Sequence, residues 1–203
     1  MKILPEKKCI YLLLFEISLS LFIAVVIAIF AYGSDTNILQ KSIFYQTVTF
    51  FITLFIYYNV SKINNALKIA SFLIVFKTII NIIINVIFPK FMIFYFSLSN
   101  GFKILYSLLG IPLAYFFYKG LEELVSKKTK NIVLANKWKK LLKLNLILSI
   151  LNFIICIYDL YGNTEFFSEN LIIYFLLSLV FGGFAIYLGI LEIIYLFKTA
   201  KEL

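Results

Sequence analysis

Every basic residue in this chain is a lysine, and the lysines fall on alternate sides of a series of long apolar runs. The runs cover residues 10–32, 43–60, 67–88, 91–118, 141–160 and 171–197. Each is near or above the ~20 residues that a helix needs to cross ~30 Å of hydrocarbon. The fold expected of such a chain is all-α, a polytopic membrane bundle of six helices forming a single domain over residues 1–203.

Lysine is favoured in cytoplasmic segments close to the membrane ends. With six spans and both termini inside, the inner set is Lys2, Lys7, Lys8, Lys62, Lys68, Lys119, Lys127, Lys128, Lys130, Lys137, Lys139, Lys140, Lys143, Lys198 and Lys201. Only Lys41 and Lys90 fall outside, and Lys77 and Lys103 lie within spans. If the run 91–118 did not cross, the lysine-dense stretch 119–143 would be outside, against the bias. A composition of 63% hydrophobic residues and a mean hydropathy of +0.99 leaves too little polar surface for a soluble domain of this size. Lysine in place of all arginine, with much Ile, Phe, Tyr and Asn, points to an AT-biased genome and a bacterial cytoplasmic membrane. Lys2, Lys7 and Lys8 before an apolar stretch imitate a secretory signal, but an h-region is usually ~7–15 residues. This run is longer and holds Glu16, so a retained first helix is expected. Cys9 and Cys156 fall at opposite membrane faces in this topology, too far apart for a disulfide.

Absences bound the chemistry. Without histidine there is no HExxH zinc site, no Ser-His-Asp triad and no histidine proton relay. Glu122-Glu123 resembles the paired glutamates of prenyl-protease-like membrane proteases, but that pattern also requires an arginine and histidines, which this chain lacks. No P-loop, GxSxG or dinucleotide fingerprint occurs, and Gly182-Gly183 lies in an apolar helix with no strand before it. The expectation is therefore a non-enzyme that needs no cofactor or metal.

The spans themselves are patterned. Asn145, Ser149, Asn152, Cys156 and Asp159 recur at intervals of four and three, so they fall on one stripe of the fifth run. Ser178, Gly182, Ala185, Gly189 and Glu192 repeat that spacing in the sixth. A seam of small residues lets helices approach closely, so these two runs are expected to pack as a hairpin. Glu16, Ser20, Ala24 and Ala28 make a similar face in the first. The third carries Lys77, Asn81 and Asn85, the second Gln46, Thr49, Thr53 and Tyr57, and the fourth Lys103, Ser107, Gly110 and Ala114. Lipid tails offer no hydrogen-bond partners, so these stripes should face one another and the Leu, Ile and Phe faces should meet lipid. Pro112 should kink the fourth run.

Depth suggests a site. At ~1.5 Å per residue, Glu16 and Glu192 lie ~10 Å inside the cytoplasmic boundary and Lys77 lies ~15 Å in. A Glu16, Lys77 and Glu192 cluster with Asn81 and Asn152 could form a substrate or ion site, or the charges could be structural. Nearer the outer surface, Lys103 and Asp159 could pair or be solvated. In the basic inner loop 119–140, Leu121, Leu124, Val125, Ile132 and Trp138 interleave with Lys127, Lys128, Lys130, Lys137, Lys139 and Lys140. That pattern suggests an amphipathic segment on anionic headgroups with Trp138 as interfacial anchor, or a segment that only sets topology. No nucleic-acid module is present.

Two function classes follow. One is a non-catalytic scaffold, regulatory or immunity-type membrane protein that contacts a membrane partner, or a second copy of itself, through its helices or the basic loop. The other is a transporter of small molecules or ions, or its substrate-capturing subunit. Six helices in ~200 residues, both ends inside and Ala24-xxx-Ala28 in the first are broadly similar to the vitamin-binding S components of energy-coupling-factor transporters. That resemblance rests on architecture and one alanine motif and implies substrate capture without assigning a binding residue. The segments 33–42 and 161–170 are short for a lid. A polar cavity favours the transporter class, and a solid interior favours the scaffold.

Overall fold

The computed structural model of the chain describes residues 4–30, 43–84, 96–161 and 171–203, with the side chains of 4–19, 47–84, 100–158 and 179–203. Regular structure among the described residues is wholly helical: α1 (Glu6–Phe30), α2 (Ile43–Val60), α3 (Asn65–Ile82), α4 (Phe96–Leu108), α5 (Gly110–Leu124), a π-helical turn (Val125–Thr129), α6 (Ile132–Tyr161) and α7 (Leu171–Glu202). Four stretches among the described residues, Asn65–Ile82, Asn100–Thr129, Ile132–Tyr158 and Leu179–Glu202, are long and apolar enough to cross a membrane. Phe15, Phe51, Phe72, Ile154 and Val180 are all more than half exposed. Lipid is the surrounding in which such faces are stable.

α5 is the centre of the bundle, packed along α3 on one side and α6 on the other, while α1 lies along α7. The α3–α5 crossing is close because Gly120 has no side chain. A β-carbon there would come 2.6 Å from Leu67 Cγ and 3.0 Å from the Leu67 nitrogen. Asn64 fastens the same crossing. Its Oδ1 accepts from the Leu67 amide at 2.8 Å, capping α3, and its Nδ2 donates to the Gly120 carbonyl at 2.8 Å.

The fourth run departs from expectation in where it bends and where it ends. The helix is interrupted at Leu109, not at Pro112. Proline clashes with the carbonyl four residues before it, here that of Leu108, so the distortion appears on that side. Pro112 itself sits in the first turn of α5, where a missing N–H is tolerated. Helix then continues well past residue 118. What was read as a loop over 119–140 is a helical hairpin, turned at Lys130, which adopts a left-handed conformation (φ 55°). Asn131 caps α6 by accepting from the Leu134 amide at 2.9 Å.

The hairpin's apolar face is turned into the bundle. Leu121, Leu124, Val125 and Trp138 are buried, and of the apolar residues in that pattern only Ile132 is exposed. Trp138, expected as an interfacial anchor, has no exposed surface. It donates to Thr199 Oγ1 at 3.1 Å and packs between the rings of Tyr118 and Tyr195. The reason is a buried stripe of Leu134, Ala135, Trp138, Leu141 and Leu142 that seals α6 against α5 and α7. Lys127, Lys128, Lys130, Lys139 and Lys140 remain exposed at that end, with Lys127 paired to Glu123 and Lys128 to Glu6.

The small-residue stripe of α7 is a second correction. Gly182 and Ala185 are exposed, and a β-carbon on Gly182 or Gly183 would meet nothing within 4 Å. α7 instead turns inward a bulkier seam, Leu188, Glu192, Leu196 and Thr199, and packs mainly on α1. A close-approach seam needs a neighbour along it, and at Gly182 and Gly183 none of the described residues comes close enough, whereas Gly189 is half-buried and Glu192 faces the interior. The side chains of Ala24, Ala28, Asp159 and Ser178 lie outside those described. The packed core, Ile10, Leu13, Val60, Leu67, Leu121, Trp138 and Leu196, gathers at the lysine-rich end.

Candidate functional site: a polar interior divided at Lys77

Six helices, α2 to α7, turn polar or small side chains into the space beyond the core. A chamber of about 460 Å³ is lined by Lys77 and Asn81 of α3, Lys103, Tyr106 and Ser107 of α4, Gly110 of α5, and Ser149, Asn152 and Cys156 of α6. A smaller cavity of about 250 Å³ shares Lys77, Gly110 and Ser149 with it. This one runs toward the core, between Tyr57, Tyr118, Asn145 and Glu192. A third, also about 250 Å³, takes in Thr49, Thr78, Asn81 and Tyr106, again with Lys77. Lys77 is thus the partition of the interior.

Its surroundings are unusual for an ammonium. Lys77 Nζ stands 4.3 Å from the centroid of the Tyr106 ring and 3.6 Å from where a Gly110 β-carbon would be. Among the described residues no carboxylate lies within salt-bridge distance of it. A lysine at mid-span costs about 2.5–3.5 kcal/mol on the insertion scale, whereas an aromatic face returns about 0.5–2 kcal/mol. The ring therefore offsets only part of that cost, and Lys77 borders all three cavities.

The five-residue cluster read from the sequence therefore divides. Lys77, Asn81 and Asn152 share the larger chamber. Glu192 lies across Lys77 in the inner cavity and interacts with Glu16. Tyr118 donates to Glu192 Oε2 at 2.9 Å, and the Tyr57 hydroxyl is hydrogen-bonded to the Glu16 carboxylate. Glu16 Oε2 is buried and has no hydrogen-bond partner among the described residues. Two carboxylates and two phenols so arranged can share a proton or hold a cation; Lys77 is not close enough to neutralise them. Lys103 lines the outer chamber, and Cys156 Sγ donates weakly to the Lys103 carbonyl at 3.8 Å. No group of three or more His, Cys, Asp or Glu side chains suited to a metal occurs among the described residues.

No protein-family model, curated protein or solved structure matches the chain. The site must be argued from its own residues.

Tyr118 and Tyr106 were absent from the polar stripes, although Tyr118 falls four residues after Ala114 and extends the Lys103, Ser107, Gly110 and Ala114 line. Tyr57 is counted in the stripe of the second run, and the same criterion applied to the fourth would have included Tyr118. The Tyr118 hydrogen bond can be isolated by a double-mutant cycle of Tyr118→Phe and Glu192→Gln. Hydrogen bonds to charged groups contribute ~1.5–3 kcal/mol in soluble proteins, but interhelical bonds in membranes average ~0.6 and reach ~1.7. A coupling of about 1–1.7 kcal/mol is expected from stability in graded denaturing detergent. Strict additivity of the two losses would count against the contact.

Proposed function

We propose that the chain is a six-span bacterial cytoplasmic membrane protein, both termini inside, whose interior captures a water-soluble small molecule. It acts as a small transporter or as the substrate-binding membrane subunit of one. The distribution of lysines supports the topology. The observation that carries the function is the chamber of about 460 Å³ lined by Lys77, Asn81, Lys103, Ser149 and Asn152. Its volume falls in the ~300–1,000 Å³ range of small-molecule sites. Convergence of polar side chains from several helices on one space within the spans is what a water-soluble solute needs, since lipid offers it no partner. Of the two classes that the sequence allows, scaffold and transporter, the polar chamber favours capture.

The test is a thermal-stability screen of the purified protein against amino acids, vitamins, nucleosides, organic acids and inorganic ions. A ligand present at a hundred times its Kd stabilises by ~2.7 kcal/mol. A stabilising solute whose effect is removed by Asn152→Leu supports capture in this chamber. If no compound shifts the protein while Asn152→Leu and Ser149→Leu both raise its midpoint, the interior is a packing defect and the proposal fails.

A further inference from the structure

The polar lining of the larger chamber has one sign. Lys77 and Lys103 contribute ammonium groups, Asn81, Ser149 and Asn152 contribute neutral donors and acceptors, and no aspartate or glutamate lines it among the described residues. Charge of the opposite sign is kept apart, since Glu192 borders the inner cavity on the far side of Lys77. An anion entering the chamber meets two cations first and a carboxylate only beyond Lys77. Lys77 is the cation at the boundary between the two cavities.

Lys77 is also placed to change partners. The Tyr106 face against its ammonium, at 4.3 Å, offsets only part of the cost of a charge at this depth. Its other neighbour is the bare backbone at Gly110, where any side chain longer than alanine would crowd the ammonium. A planar carboxylate or a phosphate could take up the N–H donors that the ring leaves unused. The volume, about 460 Å³, suits a metabolite-sized molecule and not a peptide.

We propose that the chamber binds a small organic anion, its carboxylate or phosphate seated on Lys77 and its other end toward Lys103. The inference rests on the capture reading above and adds the charge class of the solute. Asn81, Ser149 and Asn152 would hold the polar remainder of the molecule, and Tyr106 would supply an apolar wall once Lys77 has turned to the anion.

The test compares acids with their own neutral and cationic counterparts in detergent-solubilised full-length protein. Benzoate, succinate and glycerol 3-phosphate form one series; benzamide, succinamide and benzylamine form the other. Anions should raise the thermal midpoint and the second series should not. Lys77→Met should weaken the best anion by about tenfold to a hundredfold, and Lys77→Arg should retain it. Lys103→Met, at the other end of the chamber, should give a smaller loss and reads the same proposal if Lys77→Met does not fold. If amides or amines stabilise, anions do not and Asn152→Leu removes the effect, the charge class is wrong while capture stands. If neither series shifts the protein, the anion proposal falls, and the wider screen with Asn152→Leu and Ser149→Leu decides capture.

Discussion

Replacing Gly120 by valine is expected to leave little folded protein. Glycine inside a helix is ~1 kcal/mol worse than alanine, so on propensity alone any substitution should help. The α3–α5 crossing reverses the sign. A β-carbon at 120 would lie 2.6 Å from Leu67 Cγ and 3.0 Å from the Leu67 backbone nitrogen. Leu67 cannot swing away, because it is fully buried and its amide is held by Asn64. Overpacking of this kind costs ~1–3 kcal/mol. Alanine should therefore be destabilising by about 1–2 kcal/mol net, and valine, with two further methyl groups, by about 3 kcal/mol or more. Gly182→Ala is the control, since a β-carbon there meets nothing within 4 Å and only the propensity gain remains. Thermal midpoint and monodispersity in detergent read all three variants. A Gly120→Val protein with an unchanged midpoint would mean that the helices do not cross here.

The same crossing explains why the site depends on a residue outside it. α3 carries Lys77, and α5 carries Gly110 and Tyr118. Pushing the helices apart at Gly120 would widen the space in which Lys77 meets both the chamber and the Glu192 cavity. Gly120→Ala should therefore weaken any captured solute as well as lower stability, although residue 120 borders none of the three cavities described.

Much of this was legible because membrane physics writes coarse signals. Long apolar runs follow from the cost of charge in hydrocarbon, and the polar stripes follow from the absence of hydrogen-bond partners in lipid. Asn145, Ser149, Asn152 and Cys156, read as one face of a helix, do line connected cavities. What stayed hidden depends on distances between helices. Periodicity shows that Gly182, Ala185 and Gly189 share a side, but not that α7 turns Leu188 and Leu196 inward instead. Nor can it show that Lys77 and Glu192 border one cavity without pairing, which depends on where α3, α5 and α7 cross. The 119–140 segment misled because lysines interleaved with apolar residues look the same on a headgroup surface and on a helical hairpin. Only the partners Thr199, Tyr118 and Tyr195 distinguish the two.

Those partners give Trp138→Ala the other large expected effect. An interfacial tryptophan could be truncated with little loss of stability, whereas a large aromatic side chain removed from a packed core costs ~3–5 kcal/mol. Trp138 belongs to the second case, with no exposed surface, Tyr118 at 6.2 Å between ring centroids, Tyr195 at 5.8 Å and a hydrogen bond to Thr199. The hydrogen bond alone contributes ~1 kcal/mol. Trp138→Phe, which keeps most of the packing, should therefore lose only about 1–2 kcal/mol. The cavity left by alanine opens beside Tyr118, whose hydroxyl holds Glu192 at 2.9 Å. Trp138→Ala and Tyr118→Phe should consequently be less than additive, because the tilted ring no longer aims its hydroxyl at the carboxylate. As the sole tryptophan, Trp138 also reports on itself: native emission should resist quenching by aqueous iodide until the bundle unfolds. Ready quenching in the native state, together with a Trp138→Ala loss below about 1 kcal/mol, would put the side chain at the membrane surface and detach the helical hairpin from the wall of the site.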